Sequence, residues 1–116
     1  MNQYYNVQLT DTAINSLAIC QNYKAKQLGG DFVAAKAAIA ALATSAQNDL
    51  ASRPLSFPLC MTAVEYGMDN VRERISKDGY RTLFTLDEGT NTVYITLVLH
   101  QKQNIVQALY THCIIR

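Results

Sequence analysis

The chain of 116 residues predicts an α+β fold. An N-terminal strand and an antiparallel helical hairpin are expected to pack on a small, mainly antiparallel four-stranded sheet, followed by a C-terminal helix or extension. Three observations carry this. Residues 71–100 alternate like strands and are broken twice by turn chemistry. Two helix-period segments meet at Gly29-Gly30-Asp31, as in an αα-hairpin. Hydrophobic residues make up 49% and charged residues 16%, a balance that fills one core and excludes a disordered tail. Residues 1–116 therefore read as a single domain.

The first strand is carried by Tyr5, Val7 and Leu9, alternating with Asn6 and Gln8. Thr10 is placed to cap the helix that follows, with Leu9 and Ile14 at the spacing of a hydrophobic staple. That helix is expected to run to about Leu28 and to bury Ile14, Leu17, Ala18 and Cys20. Gly29-Gly30 ends it, because glycine reaches the left-handed conformation of a helix stop. Asp31 caps the second helix, whose buried stripe is Phe32, Ala35, Ile39, Leu42, Ala46 and Leu50. Pro54 stops it.

Residues 53–70 carry little periodicity. Pro54 and Pro58 disfavour regular structure, Leu55, Phe57, Leu59 and Met61 are available to plug a sheet edge, and a short helical turn fits Thr62–Tyr66. Three strands follow, at Val71–Ser76, Tyr80–Asp87 and Thr92–His100. Asp78-Gly79 suits a two-residue turn and Glu88-Gly89-Thr90-Asn91 a longer one. After the last strand, Ile105, Val106, Leu109 and Cys113 share one helical face, although Cys113-Ile114-Ile115 would also extend as a strand.

Two tight turns set an expected register. Arg74 opposes Leu83, Ser76 opposes Arg81, Arg81 opposes Val98 and Asp87 opposes Thr92. Opposed residues share a face. One face then holds Phe84, Leu86, Val93, Ile95, Leu97 and Leu99, with Val71 and Ile75, and needs the helical cover. The other gathers Arg72, Arg74, Ser76, Arg81, Thr85, Tyr94, Thr96 and His100. Glu73 is awkward, since it falls on the apolar face opposite Phe84; a bulge, an edge position or an ion pair would accommodate it.

The net charge of +1 gives no global field for nucleic acid, so any basic site is local. No apolar run approaches the roughly 20 residues of a membrane span. The start of the chain lacks signal-peptide character. Cys20, Cys60 and Cys113 are odd in number and far apart, which suits reduced thiols and a cytoplasmic location. His100, His112 and Cys113 do not make a metal set, because adjacent residues point apart, and no cofactor motif is present.

The order strand, helix, helix, three strands and a terminal element resembles the RelE/ParE superfamily of toxins from bacterial type II toxin–antitoxin modules. The residues that carry the resemblance are Gly79-Tyr80-Arg81-Thr82-Leu83-Phe84, Val98-Leu99-His100-Gln101-Lys102 and Tyr5-Asn6-Val7-Gln8-Leu9-Thr10, and it spans essentially the whole chain. It implies a growth-inhibiting toxin with a cognate antitoxin partner. RelE-like members cut mRNA on the ribosome; ParE-like members inhibit DNA gyrase. In the ribonuclease branch the resemblance implies RNA-holding roles for Arg72, Arg74 and Lys102, and places Arg81 after the tyrosine. Fixed guanidinium groups stabilise the charge that builds on a phosphate under 2′-OH attack.

The residues add their own candidates. In the expected register His100 lies diagonal to Arg81 and serves as the proton-transfer group. Tyr94 and Tyr110 are candidates for stacking or positioning RNA. Ala108 stands where that branch often has a tyrosine, with Tyr110 two residues on. A near-neutral chain is also unusual for docking on ribosomal RNA. Read without the family, the strand arginines make a solvated face, His100 is a hydrogen-bonded structural histidine and Tyr94 packs across strands.

Overall fold

The computed structural model describes residues 4–111, with side chains through Leu109. Its elements are β1 (Asn6–Leu9), α1 (Asp11–Gln27), α2 (Phe32–Ser52), a 3₁₀ turn (Pro54–Ser56), α3 (Met61–Glu65), β2 (Arg72–Ile75), β3 (Tyr80–Asp87), β4 (Thr92–His100) and α4 (Ile105–Thr111). The sheet order is β1-β4-β3-β2. β1 runs parallel to β4, and the other pairings are antiparallel. The architecture is the α+β arrangement expected. The alternative strand at Cys113–Ile115 lies outside the described residues.

Capping follows the sequence. Thr10 Oγ1 accepts from the Ala13 N–H at 3.3 Å, and Asp31 Oδ1 accepts from the Ala34 N–H at 3.0 Å. Gly30, at φ +92°, donates its N–H to the Ala25 carbonyl at 2.7 Å and closes α1. The buried stripe of α2 is Ala35, Ile39, Leu42, Ala46 and Leu50, while Phe32 stays exposed.

On α1 the buried side is Ala13, Ser16, Cys20 and Ala25, and Ile14 is 53% exposed. The helix is turned from its expected orientation because its side chains complete the outer edge of β4 beyond the end of β1. Thr12 Oγ1 donates to the Thr96 carbonyl at 2.6 Å. Ser16 Oγ accepts from the Val98 N–H at 2.9 Å, and Cys20 Sγ donates to the Val98 carbonyl at 3.4 Å. A turn-by-turn row of Thr, Ser and Cys thus replaces a neighbouring strand, which keeps that edge from pairing elsewhere.

The register differs from expectation at two places. Ser76 donates its N–H to the Tyr80 carbonyl, and Arg74 opposes Thr82, so the first loop is three residues, Lys77-Asp78-Gly79, with Gly79 at φ +88°. This is the hairpin form in which a left-handed glycine follows a turn. The second departure is a bulge. Leu83 opposes Leu97 and Phe84 opposes Ile95, leaving Thr96 between them. The Asp87–Thr92 pairing is as expected.

One extra residue in each place reverses side chains across the sheet. Tyr80, Phe84, Val93, Ile95 and Val98 pack under the hairpin with Ile39, Leu42 and Leu50. Leu83, Leu97 and Leu99 instead pack on the far side with Cys60, Ala63, Val71 and Leu109. The expected single apolar face is therefore two apolar faces, each with its own helical cover. Each fully buried Leu, Ile or Phe contributes roughly 1.5–3 kcal/mol.

In the stretch 53–70, Leu59 bridges to Arg72, and Phe57 packs edge-on against Phe84 at 6.1 Å. Only Phe57 plugs the sheet as foreseen; Leu55, Leu59 and Met61 are exposed.

Candidate functional site

The three strand arginines do not form one basic face. Arg72 Nη1 donates to the Phe57 carbonyl at 2.7 Å and ties β2 to the preceding loop. Arg74 reaches α2, with Nε on Asp49 Oδ2 and Nη2 on Ser45 Oγ, both at 2.9 Å. Both lie on the hairpin side. Arg81 opposes Ile75 and Leu99 and points to the other side, where its Nη1 meets Glu73 Oε2 at 3.1 Å. The three-residue loop causes this split by shifting β2 one place against β3. It also resolves Glu73, which opposes Leu83 and finds Arg81 as its ion-pair partner.

His100 is 4% exposed and opposes Tyr80 on the hairpin side. Its ring stacks on Tyr23 at 4.6 Å and meets the edge of Tyr80 at 4.9 Å. Nδ1 accepts from the Lys102 N–H at 3.2 Å, which leaves the ring proton of the neutral imidazole on Nε2. The expected diagonal with Arg81 on a common face does not exist, so the two cannot hold one phosphate. This imidazole packs against aromatic rings and pins the turn after β4, where the Gln103 side chain accepts from the His100 N–H at 2.7 Å.

The remaining candidates are dispersed. Lys102 is exposed in the turn after β4. Tyr94 is half-buried opposite Thr85. Tyr110 belongs to α4, but its side chain lies outside the described residues. On the α4 side the β2 residues are Glu73 and Ile75, and the arginine there is Arg81. Cys60 sits beside Glu73. Burial pushes its thiol pKa up, and the neighbouring carboxylate adds to the rise. Among the described residues, no group of three His, Cys, Asp or Glu side chains stands close enough to hold a metal ion. No helix among them is long and apolar enough to cross a membrane.

Sequence reasoning missed a groove of about 490 Å³ between α2 and β2, lined by Ala38, Leu42, Ser45, Arg74, Ile75 and Lys77 among others. Its signal was the Ser45 and Asp49 pair on α2 at i, i+4, which presents two acceptors to one strand arginine.

No protein-family model matches the sequence, and no curated protein matches it. Solved structures do. The isolated RelE toxin of E. coli aligns over 96% of this chain and 99% of its own, at 16% identity and a TM-score of 0.48. The toxin–antitoxin complex RelBE2 of Mycobacterium tuberculosis includes a chain that aligns over 86% of this one and 94% of its own, at 24% identity and a TM-score of 0.60. The fold is that of a RelE-type toxin. Within a RelE-type fold, the α4 side of the sheet here carries a paired Arg81 and an apolar floor, and the hairpin side carries the other two strand arginines.

Proposed function

We propose that the chain is the growth-inhibiting toxin of a type II toxin–antitoxin module, held by a cognate antitoxin, and that it acts by binding its target rather than by cutting RNA. The RelE-type fold and the RelBE2 neighbour support the toxin reading. The observation that carries the second half is the separation of Arg81 from His100 on opposite faces, with Arg72, Arg74 and Arg81 each engaged by a group of this chain. Phosphoryl-transfer catalysis needs preorganised cations and a proton carrier within reach of the same atoms. A ParE-like inhibitor of DNA gyrase needs neither.

Ribosome-dependent mRNA cleavage is the second reading. Arg81, half-buried on the α4 side, and Lys102, exposed beyond β4, favour it as cations free of the hairpin. Arg81 would leave Glu73 for a phosphate, with Tyr94 on the same side of the sheet flanking the RNA.

Induced expression with transcript-end mapping and a DNA-damage reporter in parallel separates the two. The binding reading expects growth arrest with DNA damage and intact transcripts. Transcripts cut at codon boundaries, lost in Arg81→Ala, would replace it with the cleavage reading. Normal growth at full soluble expression would remove both.

A further inference from the structure

The groove between α2 and β2 is charged at one end and apolar along much of the rest. Arg53, Arg74 and Asp49 meet at the charged end, and Ala38, Ala41, Leu42 and Ile75 line the remainder. From Asp49 back to Ala38 the helix rises roughly 16 Å. The volume, about 490 Å³, falls within the roughly 300–1,000 Å³ of small-molecule sites.

The charged end holds donors that the chain does not use. Arg74 is 9% exposed. Its Nε is spent on Asp49 and its Nη2 on Ser45, each at 2.9 Å, which fixes the plane of the guanidinium, while Nη1 has no hydrogen-bond partner. Thr82, opposite Arg74 on β3, does not supply the acceptor, since its own Oγ1 is unpartnered too. A buried donor without an acceptor is costly, so an added acceptor is favoured there. Arg53 is held more loosely. Its side chain is 59% exposed, it meets Asp49 at 3.7 Å, and its guanidinium stands 5.2 Å from the centre of the Phe57 ring.

Charge and shape narrow the ligand. Two guanidinium groups and one carboxylate leave this end one positive charge in excess, which matches a monoanion. A phosphate dianion would leave negative charge unbalanced beside Asp49. The planar guanidinium fork fits a carboxylate. Beyond it, the small side chains of Ala38 and Ala41 leave space, and Leu42 and Ile75 offer apolar contact. At the far end Lys77 and Asp78 cancel, and Asp78 is engaged by the Ser76 hydroxyl at 2.7 Å.

We propose that this groove binds a small amphipathic carboxylate, an unbranched apolar chain with one ionised carboxyl group. Because Nη1 of Arg74 is covered, the anion enters as Arg53 leaves Asp49, and Arg53 then closes over it. The carboxylate rests between the two arginines, and the chain runs along Ala41, Leu42 and Ile75. α2, β2 and the turn that carries Arg53 build the site, so it does not rest on the toxin reading.

The test is titration of the full chain with sodium octanoate, followed by calorimetry and by amide shifts in two-dimensional NMR. One equivalent should bind saturably, with the largest shifts at Ser45, Ile75 and Ser76. From hexanoate through octanoate to decanoate, affinity should rise roughly twofold to fourfold per methylene. Octanol, which lacks the charge, and octyl phosphate as the dianion should each bind at least about tenfold more weakly. Arg53→Gln should weaken octanoate at least about fivefold and leave octanol unchanged. Ala41→Trp, at an exposed helix position, should abolish binding of both while melting like the parent. Octanol or octyl phosphate binding as tightly as octanoate, several equivalents bound, shifts confined to other faces, or full affinity in Arg53→Gln would overturn the assignment. So would a titration that never saturates. If Ala41→Trp melts early, Arg53→Gln and the octanol comparison decide alone. None of these outcomes depends on whether the chain is toxic.

Discussion

Ser16 is 2% exposed, and its hydroxyl serves two backbone groups at once. It donates to the Ala13 carbonyl at 2.7 Å and accepts from the Val98 N–H at 2.9 Å. Ser16→Ala would leave the buried Val98 donor without a partner, a loss of about 1–3 kcal/mol. Ile14→Ser, on the exposed side of the same helix, should change stability by less than about 0.5 kcal/mol. Urea denaturation of the two variants checks the contrast, which runs against a ranking by hydrophobicity. At Cys20, burial pushes the thiol pKa up to about 12. The thiolate is the reactive form, so Cys20 should resist alkylation at neutral pH in the native chain and react fully in denaturant. Peptide mapping after iodoacetamide treatment reads this directly.

At the scale of elements, the loop after β2 determines which residues share a face. Gly79 holds φ +88°, and an added Cβ would stand 2.9 Å from Gln101 Nε2, the movable end of a side chain. Backbone strain is therefore the larger cost. Gly79→Ala should destabilise by roughly 1 kcal/mol or more, and Gly79→Asn by less, because asparagine tolerates the left-handed region. Thermal melts of both variants test the order. The same loop shows how far the sequence could be read. Strand limits to within a residue, the helix caps, the α2 stripe apart from Phe32 and the Asp87–Thr92 pairing follow from local chemistry and are found as expected. Asp78-Gly79 marks a reversal equally well with two or three loop residues, and nothing local distinguishes them. Thr96 alternates properly in sequence although it occupies a bulge. Each ambiguity is one residue, and one residue moves an arginine to the opposite side of a sheet. The alternation along each strand is legible in the sequence; which residues of neighbouring strands stand together is not.

Over the whole molecule, burial of ionisable groups sets a pH dependence. The Cys20 thiol moves from 9.0 to about 12 and the Tyr80 phenol from 10.0 to about 12, both mainly through burial. A raised pKa means that the fold favours the protonated form. The associated stability is fully present below the ordinary values and is lost as pH rises towards 12. Unfolding free energy should fall above about pH 9, by up to about 1.4 kcal/mol per pH unit for one such thiol. Denaturant midpoints at pH 7 to 11 would reveal the decline, and Cys20→Ala should flatten it. Arg81→Ala belongs to this scale as well: under the binding reading it leaves transcripts intact and alters growth arrest only through contact with the target.

β1 pairs Asn6 with Thr92 and Leu9 with Ile95, a separation of most of the polypeptide. During synthesis the first strand emerges long before its neighbour exists, and closing so large a loop is slow and entropically costly. The hairpin that roofs the sheet emerges early too, and its apolar stripe has nothing to cover until β3 and β4 arrive. The chain accordingly cannot assemble its working form in instalments. The sheet closes only once β4 has left the ribosome, so a lag between the first strand and the finished fold is built into the order of the strands.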